Sequence, residues 1–232
     1  MRGACARTNE SSRLYLASGK AVSRRSLKGE TAAIKASLAN VDLQPLVQRY
    51  AGVFYAKYFD LDRWIPYNVR ILRELNLFDA KPITALDIGC GGGLLLYCLQ
   101  YYGHQAVGID IPDPLFSDLA AALGVNRSIS PVEPLQPLSF PGRFDLITVV
   151  SPGFDCVRSP VWGIRQWRYF LDDVSGRLTG GGRLYLRLNH ARPPALHDAL
   201  SRGFAPPSKH LEDKREFIFD HESLRHVLGD LR

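Results

Sequence analysis

An apolar run, Ile83–Ile88, follows Pro82, ends in Asp87-Ile88-Gly89-Cys90-Gly91-Gly92-Gly93, and passes without a break into a helical pattern over Gly92–Tyr102. A short apolar run bounded by Pro and Gly reads as a buried strand. The glycines let the chain turn sharply and leave no Cβ between the backbone and whatever lies against it. The helix that follows offers unpaired N–H groups beneath the turn. A strand joined to a helix by so tight a turn belongs inside a sheet, with the helix folded back on its face.

The same texture continues to the end of the chain. Gln105–Ile109 reads as a strand, Pro114–Leu123 as a helix closed by Gly124, and Asn126–Ser130 as a weak strand. Pro131, Pro134, Pro137 and Pro141 then make a loop that cannot be helical. Phe144–Val150 is a buried strand, Val161–Leu178 a helix, and Arg183–Leu188 a strand after Gly180-Gly181-Gly182. Pro194–Leu200, Glu216–Phe219 and His221–Leu228 are expected as helix, short strand and helix, with Asp220 as N-cap. Such alternation means an α/β fold with a doubly wound, mostly parallel sheet, whose ligands bind beyond the carboxyl ends of the strands. No internal repeat is seen.

Before Pro82 the pattern is helical. Thr31–Val53 is periodic but interrupted by Pro45, residues 50–67 are rich in aromatics, and Asp62–Leu77 has Ile65, Val69, Leu72 and Leu75 on one face. The chain thus divides into a flexible basic arm (1–29), a helical, aromatic-rich cap (30–78) and a ligand-binding domain (79–232). The aromatics serve either as core or as a lid over a planar acceptor.

Charge argues against a polymer-binding body. The chain carries +6 in all, but residues 1–30 hold seven Lys/Arg against Glu10 and Glu30, leaving +1 for the remainder. The basic arm reads as a solvated tail, a polyanion-binding segment or an organellar targeting peptide rich in Arg and Ser. No apolar run is long enough to span a membrane. The four cysteines and six histidines show no metal-ligand spacing, so no metal is expected, and a reducing, cytoplasmic setting fits.

Asp110, at the end of the second strand, stands 23 residues after Asp87, where a carboxylate can take both hydroxyls of a ribose. A dinucleotide fingerprint would place its third glycine at position 94, which is Leu94; here the glycines run Gly89, Gly91, Gly93. Asp87 adds a carboxylate badly placed for a pyrophosphate but suited to a cationic ligand. In these residues the sequence resembles the class I S-adenosylmethionine-dependent methyltransferases, which have a Rossmann-like fold. Ala85–Gly93 matches that family's first motif, Gly108-Ile109-Asp110-Ile111 its second, Phe144-Asp145-Leu146-Ile147 its fourth strand, and Phe170-Leu171 with Leu178–Leu184 its fifth-strand region.

The resemblance implies S-adenosylmethionine as cofactor. Asp87, Gly89, Cys90, Gly91 and Gly93 would surround its methionine part, Asp110 would hold the ribose, and Ile111 would pack on the adenine. Glu133 would meet the adenine edge, or else be an exposed loop residue. Ser151-Pro152-Gly153-Phe154-Asp155-Cys156, beside the transferred methyl, resembles a motif of amino-group methyltransferases, with Gly153 in place of a second proline. Asn189 and His190 face the same crevice, His190 as a candidate base, while the catalytic residues stay unassigned. The acceptor is expected to be a small molecule; a nucleic acid or protein acceptor, or a non-catalytic donor-binding role, stays open. The family's C-terminal strand hairpin looks reduced or missing, so the fifth strand would be an exposed edge unless a partner or another element covers it, or the chain is cut short.

Overall fold

The computed structural model describes residues 26–155, 161–189, 196, 198–200 and 216–231. The expected arm up to residue 25, Cys156, His190 and residues 194, 195 and 197 of an expected helix lie outside them. The described chain begins with α1 (Leu27–Ser37), α2 (Gln44–Arg49), a 3₁₀ helix (Phe54–Phe59) and α3 (Leu61–Glu74). It continues through β1 (Thr84–Ile88), α4 (Leu94–Tyr101), β2 (Gln105–Asp110), α5 (Pro114–Leu123), β3 (Asn126–Ile129) and β4 (Phe144–Val150). Helix α6 (Ile164–Gly176), β5 (Leu178–Arg187), β6 (Glu216–Asp220) and α7 (His221–Asp230) follow.

Ser26 caps α1, its Oγ accepting the Gly29 N–H at 3.0 Å, so helix begins inside the stretch expected to be loose through residue 29. The periodic stretch after it is two helices rather than one. Pro45 falls in the first turn of α2, where its missing N–H would have had no partner in any case. Asp220 does cap α7, accepting the Ser223 N–H at 2.8 Å.

The strands form one sheet in the order β3-β2-β1-β4-β5-β6. The first five run parallel, and β6 runs antiparallel to β5. The chain therefore moves outward from β1 to β3, returns, and moves the other way from β4. This reversal opens a crevice beyond the carboxyl ends of β1 and β4, where neighbouring crossovers leave on opposite faces. On one face Ala85, Leu146 and Tyr185 pack under α1, α3, α4 and α5. On the other, Leu86, Ile88, Ile147 and Leu184 pack under α6 and α7, with Trp167 and Phe170 at the centre.

The expected short strand near Glu216–Phe219 is the element that covers the β5 edge: Glu216–Asp220 pairs with Arg183–Arg187. The Arg187–Glu216 pair is reinforced from α3: Arg70 Nη2 lies 2.9 Å from Glu216 Oε1, and Arg187 Nη1 lies 3.0 Å from the same oxygen. Strand β5 begins at Leu178, not Arg183. The triple glycine is a bulge: Phe144 pairs with Leu178 and Leu146 with Arg183, so Asp145 alone faces Thr179–Gly182. A Cβ on Gly182 would lie 2.8 Å from the Phe144 carbonyl oxygen, a backbone approach that only glycine permits.

Candidate functional site

The turn after β1 is built from glycines in left-handed conformations, with φ of +78° at Gly89, +55° at Gly91 and +83° at Gly93. The N–H groups of Gly89 and Cys90 donate to the Ile109 carbonyl at 2.8 and 3.2 Å, tying the turn to β2. The glycines differ in what their missing side chains spare. A Cβ on Gly89 meets nothing within 4 Å, because it would project into the crevice. On Gly92 and Gly93 it would collide with Leu119 and Val125 at 2.4 and 2.5 Å, and on Gly108 with Cys90 at 2.6 Å. Gly89 thus keeps space open for a ligand, whereas Gly92, Gly93 and Gly108 let helices and turn settle on the sheet.

Asp110 sits at the carboxyl end of β2, partly exposed to the crevice. Its Oδ2 accepts the Gly91 N–H at 2.6 Å and its Oδ1 the Ile111 N–H at 2.7 Å. A carboxylate has about four acceptor positions, so each oxygen retains capacity for a ligand hydroxyl. Burial raises its pKa, while the two N–H bonds and Arg127 oppose that rise. Asp87 lies behind the turn, 3% exposed. Its Oδ1 accepts the Thr148 hydroxyl at 2.6 Å. Burial, with a contribution from the Asp110 charge, lifts its pKa to about 7, against the lowering effect of the Thr148 bond.

The glycine turn and Asp110 border a cavity of about 380 Å³, within the range of small-molecule sites. Gly89, Gly91, Asp110 and Ile111 line one side, with Phe116 and Val132. Val150 and Ser151–Phe154 line the other. The 3₁₀ helix supplies the remaining wall through Phe54, Tyr55, Lys57 and Tyr58. The segment is anchored ahead of that helix, where the Tyr50 hydroxyl donates to Asp118 Oδ2 at 2.7 Å, and within it, where Trp64 Nε1 donates to the Lys57 carbonyl at 2.7 Å. Tyr55 packs on Phe116 with ring centroids 4.7 Å apart. The loop after β4 is held by Asn189, whose Nδ2 donates to the Ser151 carbonyl at 2.6 Å and the Pro152 carbonyl at 3.2 Å.

Of the residues expected at the site, Gly89, Gly91, Asp110, Ile111 and Ser151 border the cavity, and Asp87, Cys90, Gly93 and Glu133 do not. Cys90 turns inward, 9% exposed, and burial pushes its thiol pKa far up, so it is no nucleophile. In the proline loop it is Val132, not Glu133, that reaches the cavity. Phe116 was missed, although its place two residues into the helix after β2 puts it beside the crevice. Of the aromatics at 50–67, Phe54, Tyr55 and Tyr58 face the cavity; Trp162, Trp167 and Phe170, farther along the chain, are core. Phe154 does both, its ring lying tilted against Trp162 with centroids 4.9 Å apart. A second, shallower hollow of about 680 Å³ near Lys35, Asp42 and Phe59 lies away from the strand ends. Among the described residues no His/Cys/Asp/Glu group is placed to hold a metal.

No family model matches the chain. It is similar to ubiquinone biosynthesis O-methyltransferases of Xanthomonas campestris pv. campestris and Xanthomonas euvesicatoria pv. vesicatoria, with 30% identity over 116 residues, 48% of this chain and 45% of theirs. The matched stretch thus spans less than half the length of those relatives. Among solved structures, ribosomal protein L11 methylase from Lactobacillus delbrueckii subsp. bulgaricus aligns at 17% identity over 66% of this chain and 75% of that one, with a TM-score of 0.45. An S-adenosylmethionine-dependent methyltransferase from Clostridium acetobutylicum aligns at 20% identity over 76% and 61%, with a TM-score of 0.39. In the order of its motifs and its mostly parallel six-stranded sheet, the chain is similar to the class I S-adenosylmethionine-dependent methyltransferases.

Proposed function

We propose that this chain binds S-adenosylmethionine in the 380 Å³ cavity and transfers its methyl group to a small-molecule acceptor. One observation carries the reading: the Gly89–Gly91 turn, the Asp110 carboxylate and the loop after β4 face one another across a single cavity. The residues fit the donor. Gly89 keeps open the space a side chain would fill, Asp110 has acceptor capacity for the ribose hydroxyls, and Asp87, which ionises above about pH 7, places a carboxylate behind the turn for a cationic ligand.

Bound there, the donor supplies a methyl carbon on a sulfonium, already activated for in-line displacement. The chain's task is alignment and exclusion of water, which needs few catalytic side chains. Tyr55 and Tyr58 shield the cavity on one side, and Val150 and Phe154 bound the other. Asn189 fixes the Ser151 and Pro152 carbonyls that border the acceptor's approach. A wall anchored at Tyr50 and Trp64 favours an acceptor small enough to enter whole. The likeness to proteins named as O-methyltransferases supports oxygen as the atom methylated. Buried free thiols at Cys90 and Cys98 suit a reducing compartment such as the cytoplasm, and no helix among the described residues is long and apolar enough to cross a membrane.

Calorimetry with S-adenosylmethionine and S-adenosylhomocysteine tests the donor site. Wild type is expected to bind both, and Asp110→Ala to weaken binding by about ten- to a hundredfold, as expected for a lost hydrogen bond to a charged group. Unchanged binding by Asp110→Ala refutes the site. A screen of extracts with labelled donor then identifies the acceptor. The basic arm favours a second reading, a nucleic acid or protein acceptor. Deleting residues 1–25 separates the two: turnover on a small acceptor survives, whereas salt-dependent polyanion binding is lost. Donor binding without turnover on any acceptor indicates a non-catalytic module.

A further inference from the structure

Arg127 is the second residue of β3 and does not border the cavity, yet its guanidinium reaches three separate segments around it. Its Nε donates to the Gly91 carbonyl at 3.0 Å, its Nη2 to the Ile111 carbonyl at 2.5 Å, and its Nη1 to the Ser117 hydroxyl at 3.2 Å. Gly91 and Ile111 are the two residues whose N–H groups Asp110 accepts. The turn after β1 and the loop after β2 are thus each gripped twice, by Asp110 through N–H and by Arg127 through C=O. A guanidinium is planar, with five donors in a fixed fork, so three bonds set the relative positions of both loops and of α5.

We infer that Arg127 is the positioning residue of the donor site: it fixes the spacing between the glycine turn and the Asp110–Ile111 loop, and it sets a cation beside the carboxylate that receives the ribose. This rests on the donor reading above. Among the described residues, Arg127 from β3, Asp113 from the next loop, Asp87 from β1, Cys90 from the turn and Tyr58 from the 3₁₀ helix interact electrostatically with Asp110, and Lys57 of the 3₁₀ helix borders the same cavity. Arg127 is the cation whose charge opposes the rise that burial and Asp113 impose on the Asp110 pKa, together with the two backbone N–H bonds.

The test is calorimetry of S-adenosylhomocysteine binding between about pH 5 and pH 9 for wild type, Arg127→Leu and Arg127→Lys, with thermal melts in parallel. Arg127→Leu is expected to bind about tenfold or more weakly near pH 8, as the loss of hydrogen bonds from a charged group predicts, and to lose affinity in acid at a higher pH than wild type. Arg127→Lys keeps the charge but not the fork, so it should bind more weakly while its acid limb stays with that of wild type. Wild-type binding with an Arg127→Leu affinity within about twofold (against the loss expected) and an unmoved acid limb overturns this inference alone. If Arg127→Leu does not fold, unchanged affinity in Arg127→Lys overturns it. Absence of binding by wild type overturns the donor reading and this inference with it.

Discussion

Asp87→Asn is the substitution whose effect follows most directly from the structure. Asp87 is 3% exposed, and its charge is offset chiefly by the Thr148 hydroxyl on Oδ1. Burial lifts its pKa from 3.8 to about 7. For an acid whose folded pKa is raised, the folded state holds a proton that the unfolded state has released. Stability is therefore greatest below the unfolded value and falls as pH rises from about 4 to about 7, the window those two values set. At about 1.36 kcal/mol per pH unit, the full cost above that window is about 4 kcal/mol. From pH 5 to pH 8 only the part between about 5 and 7 is lost, about 2–3 kcal/mol. The amide of Asp87→Asn still accepts the Thr148 hydroxyl and carries no charge, so it escapes this loss.

Urea or thermal unfolding of both proteins at pH 5 and pH 8 measures the difference. Because Glu74, likewise raised to about 7 by burial beside Glu216, titrates in both proteins, the double difference isolates Asp87. Asp87→Asn should gain about 2–3 kcal/mol on wild type between the two pH values, or roughly 5–10 °C in melting temperature for a domain of this size. Its affinity for S-adenosylmethionine at pH 8 should fall, because an uncharged amide then replaces the carboxylate behind the turn. A stability difference that is the same at pH 5 and pH 8 refutes the reasoning.

Gly89→Ala forces a side chain into φ of +78° and into the open crevice. It should cost about 1–2 kcal/mol in a melt and at least tenfold in S-adenosylhomocysteine affinity measured by calorimetry. Gly92→Ala drives a Cβ to 2.4 Å from Leu119. Overpacking there should cost about 1–3 kcal/mol in urea unfolding, with donor affinity much less affected than in Gly89→Ala. Glu216→Ala removes a 1% exposed carboxylate paired with Arg70 and Arg187. Arg70, 36% exposed, keeps Glu74 at 3.7 Å, so the cost falls mainly on Arg187 and should be about 1–3 kcal/mol; a variant as stable as wild type in urea would show the pair to be inessential.

The amino-acid sequence by itself determined the parallel sheet and the turn at its centre, because both depend on local patterns. Ile83–Ile88, Gln105–Ile109 and Phe144–Val150 are apolar runs punctuated by Gly, Pro and Asp, and the structure places strands there within a residue or so. Asp110 and Gly89 border the cavity because a residue at the carboxyl end of a central strand in such a sheet has nowhere else to be. What depends on contacts between distant segments was not legible. That Glu216–Asp220 seals the β5 edge follows from register and from the buried Arg187–Glu216 pair, not from five residues of weak pattern. The roles of the glycines divided only when Leu119 and Val125 were seen pressing on Gly92 and Gly93 while nothing pressed on Gly89. Arg127 carries no motif, since its function lies in carbonyls brought together by the pairing of β2 with β3 and the docking of the turn on β2. Periodicity and turn chemistry act over a few residues and are written in order along the chain, whereas side-chain directions across strands exist only once the sheet has formed.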